Sequence, residues 1–308
     1  MQGNLVQNID QIQINLNSDN IWLVNLTLAL VMFGVALDIK VSDFTNMIKA
    51  PKPVLIGIFS QFFLIPLVTY IIIIIANPVP SIALGMFMVA ACPGGNISNF
   101  MSKLAGGNPA LSISLTAFAS FAALIMTPLN FALWGNLYEP TAILLKTISL
   151  DPFEVGKLVL LIIGIPLFLG MGFNYYKPQI AIKVSKFLKP VSIIIFIAFI
   201  AVAFYNNLKV FLNYIHYVFI LVIIHNIILY FTGFYTAKFS GLSYINQKTL
   251  SIETGIQNSG LGLLLVFSFF EGLGGMAILV AFWAIWDILS SLLLASYWSY
   301  KTKKTVIL

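Results

Sequence analysis

An acidic residue stands inside an apolar stretch at Glu253, in the run Ser251-Ile252-Glu253-Thr254-Gly255-Ile256-Gln257-Asn258-Ser259-Gly260. Placing an ionisable side chain at the middle of a membrane helix costs about 2.5–3.5 kcal/mol on insertion scales, so such a group faces a cavity, a partner or an ion. No lysine lies deep inside an apolar run to neutralise it. A bound cation, a proton, or a protonated carboxyl hydrogen-bonded between helices are the readings left open. Ser98, Asn99, Ser112, Thr116, Gln61 and Gln257 offer neutral oxygens in other apolar surroundings. Hard cations take oxygen ligands, and carbonyls freed by helix unwinding add more. Ser112 and Thr116 are four apart and share a helix face. Each hydroxyl taken alone reads first as glue between helices or as a back-bond to its own helix. Asn96 and Asn258 stand near expected helix breaks, where they either donate to an anion or cap the break. Asp287, in Trp286-Asp287-Ile288, is a second acid in an apolar run. It reads as a cation ligand, a proton relay, a filter against some substrates, or a residue near a wet helix end. His225 reads most simply as a hydrogen-bonded interior histidine.

These residues need elements to position them, and composition says which. The chain has 308 residues, 60% hydrophobic and 8% charged. Its mean hydropathy is +0.98. A soluble domain is usually about a quarter charged, so a soluble enzyme, a nucleic-acid binder and a disordered chain are excluded. A helix crossing the hydrocarbon core needs about 20 apolar residues. Nine runs qualify, at 21–38, 53–76, 79–105, 109–135, 156–175, 187–206, 214–238, 248–270 and 275–300. Continuous apolar runs such as Ile71–Ile75 do not alternate as barrel strands do. The expected class is an all-α polytopic membrane protein of nine transmembrane helices. All 16 basic residues are lysine. With the N-terminus outside, thirteen lysines fall on the inner side and three on the outer, which fits the positive-inside rule. The one cysteine, Cys92, supports neither an intrachain disulfide nor a metal cluster. Residues 1–20 lack the basic start of a signal peptide and are expected to be an extracytoplasmic tail.

Two of the runs are interrupted. Cys92-Pro93-Gly94-Gly95-Asn96 breaks the third, because proline removes a donor and clashes with the turn before it. The polar run around Glu253 breaks the eighth without any proline. In lipid a broken helix must be buried in protein or line a wet cavity. The two breaks occupy matching places, each followed by one more span. Spans 1–4 then pair with spans 6–9 in inverted orientation, the arrangement of secondary transporters that bind where two broken helices meet.

The motifs on these breaks resemble those of the bile acid:sodium symporter family. Ala29–Gly34, ACPGGNISNF at 91–100 and SIETGIQNSGL at 251–261 carry the likeness. Over roughly Leu28 to Tyr300 the chain resembles a bacterial, nine-span member. The resemblance implies a panel of 21–38 and 156–206, and a core of 53–135 and 214–300 holding two crossed broken helices. Residues 301–308 would form a cytoplasmic tail. It implies two sodium ions: one on Ser98, Asn99, Ser112, Thr116 and Glu253, the other on Gln61, Glu253 and Gln257 with the main-chain oxygens of Thr254 and Ile256. Asn96, Asn258 and Asp287 are the candidate substrate contacts. Asn96 stands where the family motif usually has Thr, and Asp287-Ile288 where bacterial relatives often have His-Asn. The implied activity is not enzymatic. It is sodium-coupled symport of an organic anion, bile acid-like or a small carboxylate, by alternating access in the bacterial cytoplasmic membrane. A proton-coupled or uncoupled facilitator of the same fold is the rival. The expected partners are the anion, sodium and membrane lipid, without nucleic acid, and a monomer serves as the working unit.

Overall fold

The structure is a computed structural model and describes residues 9–14, 21–49, 51–95, 97–148, 157, 160–206 and 208–307. It is all-α. In chain order the helices are α1 (Ile21–Ala36), α2 (Val41–Lys49), α3 (Pro51–Ala76), α4 (Pro80–Ala91), α5 (Ile97–Leu104), α6 (Pro109–Leu137) and α7 (Glu139–Ile148). There follow α8 (Ile165–Tyr176), α9 (Pro178–Asn206), α10 (Leu208–Phe239), α11 (Tyr244–Gly255), α12 (Ser259–Phe269) and α13 (Gly274–Ile307). Among the described residues, four helical stretches are long and apolar enough by themselves to cross a membrane: Pro51–Ala76, Pro109–Leu137, Phe211–Phe239 and Gly274–Lys301. Large apolar side chains such as Ile125, Ile75 and Phe239 lie exposed on the outside. A contiguous apolar exterior of this kind marks a surface made for lipid rather than water.

Both sequence breaks are real breaks. α4 stops at Ala91, Cys92 turns extended, and α5 resumes at Ile97. α11 stops at Gly255, Ile256 is extended, and α12 resumes at Ser259. The second break carries no proline, and at its edge α11 lies tight against α10. A Cβ at Gly255 would sit 2.1 Å from the Tyr230 ring, so only glycine lets α11 approach α10 there. α4 and α12 are buried on nearly every side, which is where helices apolar all round belong. Both pack against α13, and α4 also packs on α6.

α3 contains one π-helical turn, Ser60–Leu64, directly before Ile65 and Pro66. Pro66 has no N–H to donate into the preceding turn, and a widened turn absorbs its ring. The same pairing recurs before α8, where a π-turn at Leu160–Gly164 precedes Ile165 and Pro166.

α1 packs on α8 and α9. Asn174 Nδ2 on α8 donates to Ile39 O at 2.9 Å, and Ser185 Oγ on α9 donates to Asp38 Oδ1 at 2.6 Å. Residues 9–14, inside the stretch expected to be a tail, are docked instead. Ile9 and Ile14 are buried, and Ile14 N donates to Gly272 O at 2.8 Å. Gly274 N donates back to Ile12 O at 2.7 Å. Asp10 Oδ1 accepts from Ser81 N at 2.8 Å, so the strap caps the first turn of α4.

Candidate functional site

The two breaks meet. Gly94 and Gln257 form an isolated antiparallel bridge, and Asn258 N donates to Pro93 O at 2.8 Å. Unwound backbone on each side thus satisfies unwound backbone on the other. A Cβ at Gly94 would lie 3.3 Å from both the main-chain oxygen and Oε2 of Glu253, so the break runs directly over the carboxylate.

Glu253 is 5% exposed and its hydrogen-bond partners are hydroxyls from two other elements. Ser98 Oγ, at the start of α5, donates to Oε1 at 2.6 Å. Ser112 Oγ on α6 also donates to Oε1. Thr116 Oγ1, one turn further on, lies 3.1 Å from Oε2, 3.3 Å from Ser98 Oγ and 3.2 Å from Asn99 Oδ1. Five sequence-predicted residues therefore form one cluster. Their distance along the chain is bridged by α5 and α6 packing against each other and both against α11.

The second group lies on the break itself. Gln61 stands in the π-turn of α3 and donates through Nε2 to Gln257 Oε1 at 2.9 Å and to Cys92 O at 3.0 Å. Gln257 Nε2 donates to Thr254 O at 2.8 Å. Gln61, Gln257 and Thr254 are all buried, as is Ile256. A narrow crevice between α3 and α6, lined by Gly57, Phe118 and Leu115 among others, reaches both Gln61 and Glu253.

The candidate substrate residues fare differently. Asn96 lies outside the described residues. Asn258 caps α12, its side chain accepting from Leu261 N at 3.0 Å. Asp287 is 4% exposed, and its oxygens face the protein: Oδ2 accepts from Gln257 N at 3.0 Å and Oδ1 from Asn226 Nδ2 at 3.2 Å. His225 is buried, paired with Thr69 Oγ1 at 2.8 Å, and packs edge-on against Trp283. Lys248, counted in sequence with the loop lysines, is buried on α11 and donates to Ala105 O at 2.6 Å, just past the C-terminal end of α5. A cation there complements the negative helix end.

Sequence reasoning missed Asn226 and Thr127. Asn226 Nδ2 also donates to Gly255 O at 2.8 Å, and Thr127 Oγ1 donates to Ala91 O at 2.8 Å, so each satisfies a carbonyl at a broken end. Their signal was weak: a single amide or hydroxyl in a long apolar run. Among the described residues no three His, Cys, Asp or Glu side chains come together. The cluster is made of hydroxyl, amide and carboxylate oxygens, which suits a hard cation and not a thiolate- or imidazole-bound metal.

Residues 25–214 match the family model described as the sodium bile acid symporter family. The chain is 33% identical over 282 residues to YocS, an uncharacterised sodium-dependent transporter of Bacillus subtilis (strain 168), covering 91% of this chain and 84% of that protein. It is 28% identical over 241 residues to the ileal sodium/bile acid cotransporter of Mus musculus, covering 77% of this chain and 67% of that one. It is 29% identical over 239 residues to a sodium-dependent organic anion transporter of Bos taurus, covering 76% of this chain and 60% of that one.

Proposed function

The chain belongs to the sodium bile acid symporter family, a family of transporters and not of enzymes, and on that premise we propose that it is a sodium-coupled symporter of an organic anion. The observation that carries this is the cage of neutral oxygens around Glu253. Neighbouring ligands of a hard cation held at about 2.4 Å stand about 3.4 Å apart. The Thr116 hydroxyl lies 3.1–3.3 Å from oxygens of Glu253, Asn99 and Ser98, close to that spacing, while Ser98 and Ser112 are drawn in on Glu253 Oε1 as hydrogen-bond donors. One sodium ion is then held by Ser98, Asn99, Ser112, Thr116 and Glu253. A second is held by Gln61, Glu253 and Gln257 with the main-chain oxygens of Thr254 and Ile256. Glu253 is shared, so the two sites fill together across both breaks.

In this reading the ions draw the crossed breaks into one shape, and that shape completes an adjoining site for a bile acid-like anion or a small carboxylate. Asn258 stands at the positive end of α12, where an anion is favoured. Nine spans are intended, with the interrupted pairs α4–α5 and α11–α12 each counting as one. The panel is residues 21–38 and 156–206, and the mutual packing of α1, α8 and α9 supports it. The core is 53–135 and 214–300, which rocks against the panel to alternate access. The proposed location is a bacterial cytoplasmic membrane, and the lysine distribution supports an orientation with the N-terminus outside and the C-terminus inside.

A thermal-shift screen of bile acids and small carboxylates on the purified chain tests the reading. A substrate should stabilise the protein in sodium and not in potassium at equal ionic strength. Reconstituted into liposomes, the chain should take up that compound only with inward sodium, and Glu253→Ala should abolish uptake. Equal stabilisation without sodium, or uptake driven by a pH gradient in sodium-free buffer, would instead establish the proton-coupled or uncoupled reading.

A further inference from the structure

We propose that Asp287 is a positioning residue that holds the second break in its ion-binding shape, acting through Asn226 and Trp286. The proposal rests on the sodium reading of that break. Gln257 N, which meets Asp287 Oδ2 at 3.0 Å, is a backbone N–H and can only donate. The Asn226 amide is ambiguous in principle, because its oxygen and nitrogen can exchange places. Trp286 removes the ambiguity: its indole Nε1 only donates, and it lies 3.1 Å from Asn226 Oδ1. The amide nitrogen must then point the other way, to Gly255 O at 2.8 Å and Asp287 Oδ1 at 3.2 Å.

Position 287 therefore faces two obligatory donors, with the Trp283 indole directed at it as well, and needs at least two acceptors. A carboxylate supplies two; a carboxamide supplies one. The bracket grips the break at both ends, holding Gly255 O through Asn226 and Gln257 N directly. Between these grips lies Ile256, with Thr254 just before them and the Gln257 side chain just after. These are the groups proposed to bind the second ion. Asp287 comes from α13 and Asn226 from α10, so two helices fix the course of the chain where it leaves the helix, between Gly255 and Ser259. The carboxylate also sits beside the positive N-terminal end of α12, which favours it there.

The test is sodium titration of melting temperature, at constant ionic strength with potassium, on the purified full chain. It needs no substrate. Asp287→Asn sets an amide donor against one of the two donors, and should raise the sodium half-saturation about tenfold or more, the size of one lost charge-assisted hydrogen bond. The titration should also become less steep, because the other ion site is untouched. Trp286→Phe removes the indole donor to Asn226 while Gly255 O still holds the other end of the amide, and should raise half-saturation about two- to fivefold. If Asp287→Asn does not accumulate, Trp286→Phe decides the matter. A lower melting temperature at every sodium concentration, with half-saturation unmoved, would make the bracket merely structural and overturn the proposal. A wild-type protein indifferent to sodium would instead overturn the sodium reading on which the proposal stands.

Discussion

Thr116→Val is the sharpest probe of the oxygen cage, because it deletes one oxygen and keeps the shape of the side chain. Thr116 Oγ1 is the hub of the cluster, 3.1 Å from Glu253 Oε2, 3.2 Å from Asn99 Oδ1 and 3.3 Å from Ser98 Oγ. In the ion-free protein its loss is cushioned, since Ser98 and Ser112 still donate to Glu253 Oε1. With an ion bound nothing replaces the missing ligand. An interaction of a polar group with a charge contributes about 1.5–3 kcal/mol. At about 1.4 kcal/mol per factor of ten, sodium half-saturation should rise roughly ten- to a hundredfold. The assay is the melting temperature of purified protein against sodium concentration, with potassium making up the ionic strength. Thr116→Ser retains the oxygen and should stay within about threefold of wild type, a shift below the roughly 1 kcal/mol of an ordinary hydrogen bond. If Thr116→Val titrates as wild type does, the hydroxyl is not a ligand, and the cluster is only a hydrogen-bonded carboxyl.

Three other outcomes follow from the same geometry. Gln61→Ala removes a side chain of the second proposed ion site only, so sodium titrations should lose steepness while the cluster of Ser98, Ser112 and Thr116 still responds; an unchanged slope would separate Gln61 from the ions. Gly255→Ala drives a methyl into the Tyr230 ring, 2.1 Å away, and should destabilise by about 3 kcal/mol or more, seen as loss of monodisperse protein on size exclusion; Gly255→Ala combined with Tyr230→Ala should recover it. Asp10→Ala deletes the cap on α4 and should cost about 1 kcal/mol of stability. Because Asp10 lies far along α4 from the break, sodium half-saturation should not move.

Much of this architecture was legible in the chain. Pro93-Gly94-Gly95 announces its break chemically, because three consecutive residues all oppose a helix in lipid. The second break carried a polar run but no comparable stop signal. The unwound stretch is held by tertiary partners, Pro93 O, Asn226 and Asp287, which local pattern does not reveal. Glu253 could be singled out because a lone acid in an apolar run has few explanations. Ser98, Ser112 and Thr116 could be assigned to it through a resemblance, and the packing of α5, α6 and α11 then brings the hydroxyls to the carboxylate. Asp287 shows where such reading stops. The sequence marks it as costly, yet its partners come from Asn226 on α10 and a backbone N–H in the break. Neither partner has a signature of its own. The strap at residues 9–14 reads as tail for the same reason: its polar composition hides Ile9 and Ile14, which are buried against the loop before α13.

The central claim is that Glu253 and its hydroxyls bind sodium. Binding of radiolabelled sodium to the purified chain, with Glu253→Ala alongside, tests it most directly. Wild type should bind saturably and lose the label to cold sodium but not to potassium, while Glu253→Ala binds none. Saturable sodium binding that survives in Glu253→Ala, or its absence from wild type, would contradict the account.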